Sequence, residues 1–138
     1  MDESILFKNV ENLTLKRDKV LKKLRKKVEL LRRNELKPTE LRPVIREAGR
    51  LRRALLKAVR DSSSVNLSKE YRELIDTLLE FSLLVSAEDE EELLKEVEAS
   101  LEKDGNEELR KDVLKELSSV KELKNALSKY LDSSEGGS

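Results

Sequence analysis

The side chains best placed to do chemistry form two cationic rows in the first half of the chain. The first row lies between residues 19 and 33, and the second spaces arginine and lysine by three and four residues from Arg42 to Arg60. Because this spacing puts side chains on one face of a helix, two neighbouring helices would present cations to a phosphate backbone. The residues selected for that contact are Lys19, Lys23, Lys26, Lys27, Arg42, Arg46, Arg50, Arg53 and Lys57.

The rows carry no signature that would make nucleic-acid binding specific. No aromatic side chain interleaves them for base stacking, and no glycine-rich phosphate loop or recognition-helix pattern occurs. A plainer interpretation is a solvated basic face that pairs with acidic helices of the same chain. Membrane-surface binding is a weaker alternative, because neither row has the bulky Trp or Phe face that such helices use.

A run of five acidic residues at positions 88–92 is a candidate cation site. It lacks the Asp-x-Asp-x-Asp-Gly spacing of a calcium loop, whereas the helix dipole favours acidic side chains in a first turn. We therefore interpret the run as the start of a helix and expect no bound metal.

The composition removes most catalytic chemistries. The chain has no Cys and no His, so it lacks thiolate nucleophiles, zinc-finger ligands, an imidazole base and the Ser-His-Asp triad. Its carboxylates fall almost entirely on polar helix faces, so no pair in unlike environments stands out for general acid–base work. We expect no enzyme activity, no cofactor and no required partner.

Charge divides the chain into two halves. Residues 1–60 hold 19 basic and 8 acidic side chains, a net charge of +11, whereas residues 61–138 hold 10 and 21, a net charge of −11. Such asymmetry indicates either a polyanion-binding surface or the packing of one half against the other. We expect the basic helices of residues 14–61 to pack beside the acidic helices of residues 87–117.

Apolar residues recur at intervals of three, four and seven, which is the pattern of amphipathic helices. Pro38 and Gly105 mark helix ends, and cap-forming residues at Thr14 and Ser86 indicate two further breaks. The expected helices cover about residues 2–12, 14–34, 39–61, 66–85, 87–104 and 106–132. Residues 133–138 have the composition of a flexible polar tail.

These elements predict an all-α fold, a single-domain compact bundle of five or six helices of unequal length within residues 1–132. Residues 78–85 are apolar on nearly all sides, so we expect the most buried helix there. Gly49 lies inside a helical segment, where its missing side chain lets a neighbour approach closely.

The sequence contains no membrane or secretion signal. No apolar run approaches the ~20 residues that span a bilayer, and the acidic start is unlike a secretory signal. We expect a soluble cytoplasmic protein with no membrane partner.

Two stretches of the second half, SAEDEEELLKEV at 86–97 and DGNEELRKDVLKEL at 104–117, place a cap, then acids, then bases. In this respect residues 60–138 resemble computationally designed helical proteins, whose helices are capped and charged in that order. The resemblance implies a scaffold without evolved activity. The first half departs from it through its concentration of cations and through Phe7, Asn9 and Asn12.

The expected function is accordingly that of a structural or scaffold protein of de novo designed origin, with no evolved biochemical activity. One alternative is a nucleic-acid-binding module that uses the basic helices of residues 16–60. A second is a helical module that self-associates into a homo-oligomer, the basic half of one copy against the acidic half of another.

Overall fold

The computed structural model of the chain describes residues 2–136, including the side chains of residues 2–134. This part of the chain consists of helices and short turns and contains no strand. The all-α fold class is confirmed.

The first helix, α1, covers Glu3–Arg32 without interruption. Asp2 caps it, because the Asp2 carboxylate accepts a hydrogen bond from the backbone N–H two residues further on, at 2.9 Å. The break expected at Thr14 is wrong. The Thr14 hydroxyl instead donates to the Val10 carbonyl at 2.7 Å, a bond that such side chains also make inside helices.

The second helix, α2, follows a short 3₁₀ turn. The turn covers Pro38–Leu41, and α2 covers Arg42–Ser64. Pro38 in the turn prevents α1 and α2 from forming one continuous helix, because the residue before proline avoids helical geometry. The two long basic helices instead pack side by side.

The third helix, α3, covers Lys69–Phe81, and the Ser68 side chain caps it. A π-helical segment, Ser82–Ser86, then joins α3 directly to α4, which covers Ala87–Asp104. The break expected at Ser86 is wrong, because Ser86 is buried in helical geometry and its side chain forms no cap.

The apolar segment 78–85 is also less buried than its composition predicts. Leu84 is 68% exposed, and Phe81 and Val85 are exposed as well. The helix α3 packs against α1 and α5, and these two neighbours do not cover a segment that carries hydrophobic side chains on nearly every face.

The last helix, α5, covers Glu107–Gly136. Gly105 separates it from α4 by adopting the left-handed conformation with φ 71°, which glycine reaches without strain. Residues 133–136 are helical, so the chain keeps its regular structure beyond the expected end at residue 132. Residues 137 and 138 of the expected tail lie outside the described part of the chain.

The helices form one layered arrangement around a leucine-rich core. Helix α1 packs against α2, α3 and α4, while α5 packs against both α2 and α4. Because α3, the π segment and α4 form one continuous rod, the described chain has four long helical rods instead of the expected five or six. The basic helix α1 lies against the acidic helix α4, as their charges predict, whereas α2 packs against α5, whose six basic and seven acidic side chains nearly balance.

Candidate functional site

Four charged side chains from four helices meet in the interior. Glu90 of α4 is fully buried, and Arg17 of α1 and Arg52 of α2 are each 1% exposed. Glu116 of α5 completes the group at its edge, with its side chain 19% exposed. We call these four residues the buried ion cluster.

Glu90 holds both arginines of the buried ion cluster through hydrogen bonds. Its carboxylate accepts from Arg52 Nη2 at 2.8 Å and from Arg52 Nε at 3.2 Å, a two-point contact that suits the planar guanidinium. It also accepts from Arg17 Nη2 at 2.7 Å. Arg52 Nη1 donates to Glu116 Oε2 at 2.7 Å, so Arg52 connects two carboxylates.

The cluster keeps its central groups ionised. Burial raises the pKa of Glu90, but the hydrogen bonds and positive charges of Arg52 and Arg17 outweigh burial and bring the pKa below its ordinary value. Burial lowers the pKa of Arg52, and Glu90 and Glu116 outweigh that effect in the opposite direction. Two cations and two anions balance, which offsets the cost of burying them, although Arg17 Nε and Nη1 are buried without a hydrogen-bond partner.

Gly49 provides the space that Glu116 occupies. A Cβ atom at Gly49 would lie 2.5 Å from Glu116 Oε2, well inside van der Waals contact. The close approach expected at Gly49 therefore comes from a side chain of α5, and it allows Glu116 to reach Arg52.

Sequence reasoning missed the buried ion cluster, although a signal was present. Arg17 occupies a position in step with the buried residues Leu13, Val20 and Leu24. Arg52 and Glu90 likewise fall on the buried faces of α2 and α4. A charged residue in the apolar phase of three helices indicates partners of opposite charge, because an isolated buried charge is strongly unfavourable.

The nine basic residues selected from the sequence do not form one continuous site. Lys19, Lys23 and Arg50 line a groove between α1 and α2. Arg42 and Arg46 line a different groove, between α2 and α5, together with Asp112. The remaining four selected residues are Lys26, Lys27, Arg53 and Lys57, which line neither groove.

The groove between α1 and α2 concentrates cations from both helices. Its volume is about 370 Å³, and Lys16 joins Lys19, Lys23 and Arg50 in its lining. Glu47 is the one carboxylate among the lining residues that the structure describes. Lys16 was not selected from the sequence, although it lies three residues before Lys19 on the same helical face. We call this surface the α1/α2 face.

Neighbouring arginines outside the α1/α2 face find acidic partners on the second half of the chain. Arg25 donates to Asp89 at 2.8 Å, and the Arg60 guanidinium lies 3.4 Å from Glu122. In the described part of the chain, by contrast, none of the four cations of the α1/α2 face forms an ion pair within 4.0 Å. The same holds for Lys26, Lys27, Arg42, Arg46 and Lys57, whereas Arg53 lies 3.8 Å from Glu116.

The acidic run at 88–92 is engaged by basic side chains. Asp89 pairs with Arg25, and Glu90 belongs to the buried ion cluster. Glu88 and Glu91 both contact Lys124 of α5. No group of three or more potential ligands is placed to hold a metal ion among the residues that the structure describes.

Comparison with known proteins finds no relative of this chain. The chain matches no protein-family model, no curated protein and no solved structure. Among the helices described, none has both the length and the apolar character needed to cross a membrane.

Proposed function

We propose that the α1/α2 face binds the phosphate backbone of a duplex nucleic acid. The observation that carries this proposal is the convergence of four cations without an ion pair on one groove that has a single carboxylate in its described lining. The chain has as many acidic as basic side chains, yet within its described residues the cations of this face have no carboxylate within ion-pair distance.

Physical chemistry favours an anionic partner for such a face. Lys16, Lys19 and Lys23 lie one helical turn apart and repel one another, so they weaken α1 unless a counter-charge is present. Arg50 adds a planar donor suited to phosphate oxygens. No aromatic residue lines the groove, so we expect contact with the backbone and no reading of the bases.

The test is fluorescence anisotropy with a labelled DNA duplex over a series of salt concentrations. Four phosphate contacts predict a slope of about −3.6 for the logarithm of the binding constant against that of the salt concentration. That slope corresponds to a ~150-fold loss of affinity between about 50 and 200 mM salt. Duplexes of different sequence are expected to bind alike.

A matched pair of variants connects the binding to this face. The variant with Lys19→Glu, Lys23→Glu and Arg50→Glu is expected to lose binding. A control with Lys69→Glu, Lys103→Glu and Lys111→Glu changes the net charge equally at exposed positions elsewhere and should retain it. Absence of binding by the unmodified protein at low salt, or equal loss in both variants, would contradict the proposal.

A second candidate function, a structural scaffold of designed origin, is favoured by the buried ion cluster. A cluster that takes one charged side chain from each of four helices penalises every other arrangement of those helices, because each alternative leaves a buried charge unpaired. This function fits the resemblance to designed helical proteins. It predicts wild-type stability for the variant with three glutamates on the α1/α2 face and no salt-sensitive binding by the unmodified chain.

Self-association has less support than either function. Arg25 and Arg60 pair with acidic side chains of the same chain, so part of the charge complementarity between the two halves is already used within one copy. Light scattering across protein and salt concentration tests this point. A monomer throughout would remove the oligomer hypothesis.

A further inference from the structure

A further cavity lies where α2 ends, α3 begins and α5 ends. Its volume is about 680 Å³, within the range of small-molecule sites. It shares no lining residue with the α1/α2 face. Nothing in the proposed functions accounts for it.

The walls of this cavity combine an apolar floor with cations. Val59 and Leu67 are buried and Ala126 is half-buried, which gives the floor a hydrocarbon surface. Arg72 and Lys129 stand in the same lining. No carboxylate belongs to the lining among the residues whose side chains are described, so the cavity carries net positive charge.

Arg72 is the lining cation whose position the helix dipole opposes. Lys129 lies about two turns before the end of α5, beyond the last turn in which the dipole would favour a cation. Arg72 lies in the first turns of α3, where the dipole disfavours one. It is half-buried and forms no ion pair within the described part of the chain, which leaves its planar donors available to an anion.

Tyr130 supplies a hydroxyl to the same lining. Burial, with a contribution from the nearby charge of Asp76, raises the pKa of Tyr130 to about 12. The phenol is therefore neutral near pH 7, and a hydrogen bond to the Asp76 carboxylate contributes to the same rise in its pKa, so its one O–H is directed to Asp76. Asp76 adjoins the cavity without lining it, and its carboxylate accepts a hydrogen bond from Ser134 Oγ.

We propose that this cavity binds an amphipathic organic anion. The acidic head group lies against Arg72 and Lys129, and the apolar body lies on the floor formed by Val59, Leu67 and Ala126. Arg72 selects a ligand that carries a negative charge, and the hydrocarbon floor selects a ligand that has an apolar body.

Isothermal titration calorimetry with sodium decanoate, below its micelle concentration, tests the proposal. We expect decanoate to bind at one site, and butyrate and decyltrimethylammonium not to bind, because the first lacks the apolar body and the second has the wrong charge. Decyl phosphate serves to distinguish a carboxylate from a phosphate head group. Either head group is compatible with Arg72.

Substitutions locate the binding. Arg72→Gln is expected to weaken decanoate binding ten-fold or more, about what a charged hydrogen bond contributes, and Arg72→Lys to restore part of it. Ala126→Phe fills the floor and is expected to abolish binding. Lys111→Gln, an exposed change elsewhere on α5, should leave binding unchanged. Thermal unfolding of each variant shows whether it folds. If Ala126→Phe does not fold, decanoate binding by Arg72→Gln still tests the proposal.

Three results would overturn the proposal. The first is no binding of decanoate by the unmodified protein. The second is equal binding of decanoate and decyltrimethylammonium. The third is loss of binding in Leu84→Ser together with full binding in Arg72→Gln, which would place the probe on the exposed apolar surface of the π segment.

Discussion

Replacement of Glu90 by alanine is the most direct perturbation of the buried ion cluster. Glu90 receives three hydrogen bonds from two arginines that are each 1% exposed. After Glu90→Ala, Arg17 has no remaining carboxylate among its described contacts. Arg52 keeps only the hydrogen bond to Glu116. The variant therefore contains one unpaired buried cation and one that is half-satisfied.

The magnitude of the effect follows from that count. Removal of one partner of a buried ion pair lowers the free energy of unfolding by about 3–5 kcal/mol, because the remaining charge stays desolvated. Two guanidinium groups depend on Glu90, so we expect a loss in the upper part of that range. The total stability of a domain is about 5–15 kcal/mol, so the loss is a large fraction of it.

Urea unfolding followed by circular dichroism measures this loss, and uncharged urea does not screen the ion pairs. Glu92→Ala is the matched control, since Glu92 is exposed on the same helix two residues away. We expect the control to change the unfolding free energy by no more than about 0.5 kcal/mol. A Glu90→Ala variant within about 1 kcal/mol of the unmodified protein would refute the reasoning.

A triple apolar variant separates the effect of an unpaired charge from that of a cavity. Arg17→Met, Glu90→Leu and Arg52→Met together remove all three charges and keep most of the volume. Such replacements are often neutral or stabilising by about 1–4 kcal/mol. Glu116, which is partly exposed, then turns to solvent. A triple variant no more stable than Glu90→Ala would show that lost packing explains the single substitution.

Glu90 also predicts a dependence of stability on pH. Its pKa in the folded protein lies below the ordinary value of 4.5, so the unfolded chain binds more protons between the two values and unfolding free energy rises with pH there. The stabilisation is complete above pH 4.5 and is lost as pH falls below it. The difference in stability between the unmodified protein and Glu90→Gln should therefore narrow in acid. A difference that stays constant from neutral pH into acid would contradict this.

Three further substitutions test individual contacts by the same unfolding assay. Gly49→Ala should change the free energy of unfolding more favourably by ~1 kcal/mol in a Glu116→Ala background than in the unmodified protein, because alanine gains helix propensity only once the Glu116 carboxylate is absent. Additive effects of the two substitutions would argue against the contact. Asp89→Asn should cost less than about 1 kcal/mol and nothing at high salt, because its pair with Arg25 is half exposed; a salt-independent loss would contradict this. Gly105→Ala should cost about 1–2 kcal/mol through its positive φ alone, since open space surrounds it; a stabilised variant would be inconsistent with the left-handed cap.

The sequence predicts the helices better than it predicts their continuity. The apolar phase of α2 and α5 and the ends at Pro38 and Gly105 follow from local rules, because proline and glycine constrain the backbone wherever they stand. Thr14 and Ser86 suggested helix starts that do not exist. A hydroxyl that caps a helix also bonds to a carbonyl inside one or is simply buried, and only packing decides between these outcomes.

The candidate sites show the same division. Periodicity places Arg42, Arg46, Arg50 and Arg53 on one helical face, but it does not say which neighbour each one meets. The structure directs Arg50 to the lysines of α1, and it places Arg53 near Glu116 of α5. An arc of helix surface wide enough to hold a whole row borders two neighbours, so the row is divided between them.

By itself the sequence determined the all-α class, the separation of charge between the two halves and the absence of thiol and imidazole chemistry. These properties depend on composition and on near-neighbour spacing, which the chain carries in any conformation. The tertiary structure alone decided that Arg17, Arg52 and Glu90 meet in the interior and that Lys16 and Arg50 share a groove. Such contacts join residues distant along the chain, and their free energy depends on desolvation that exists only once the helices have packed.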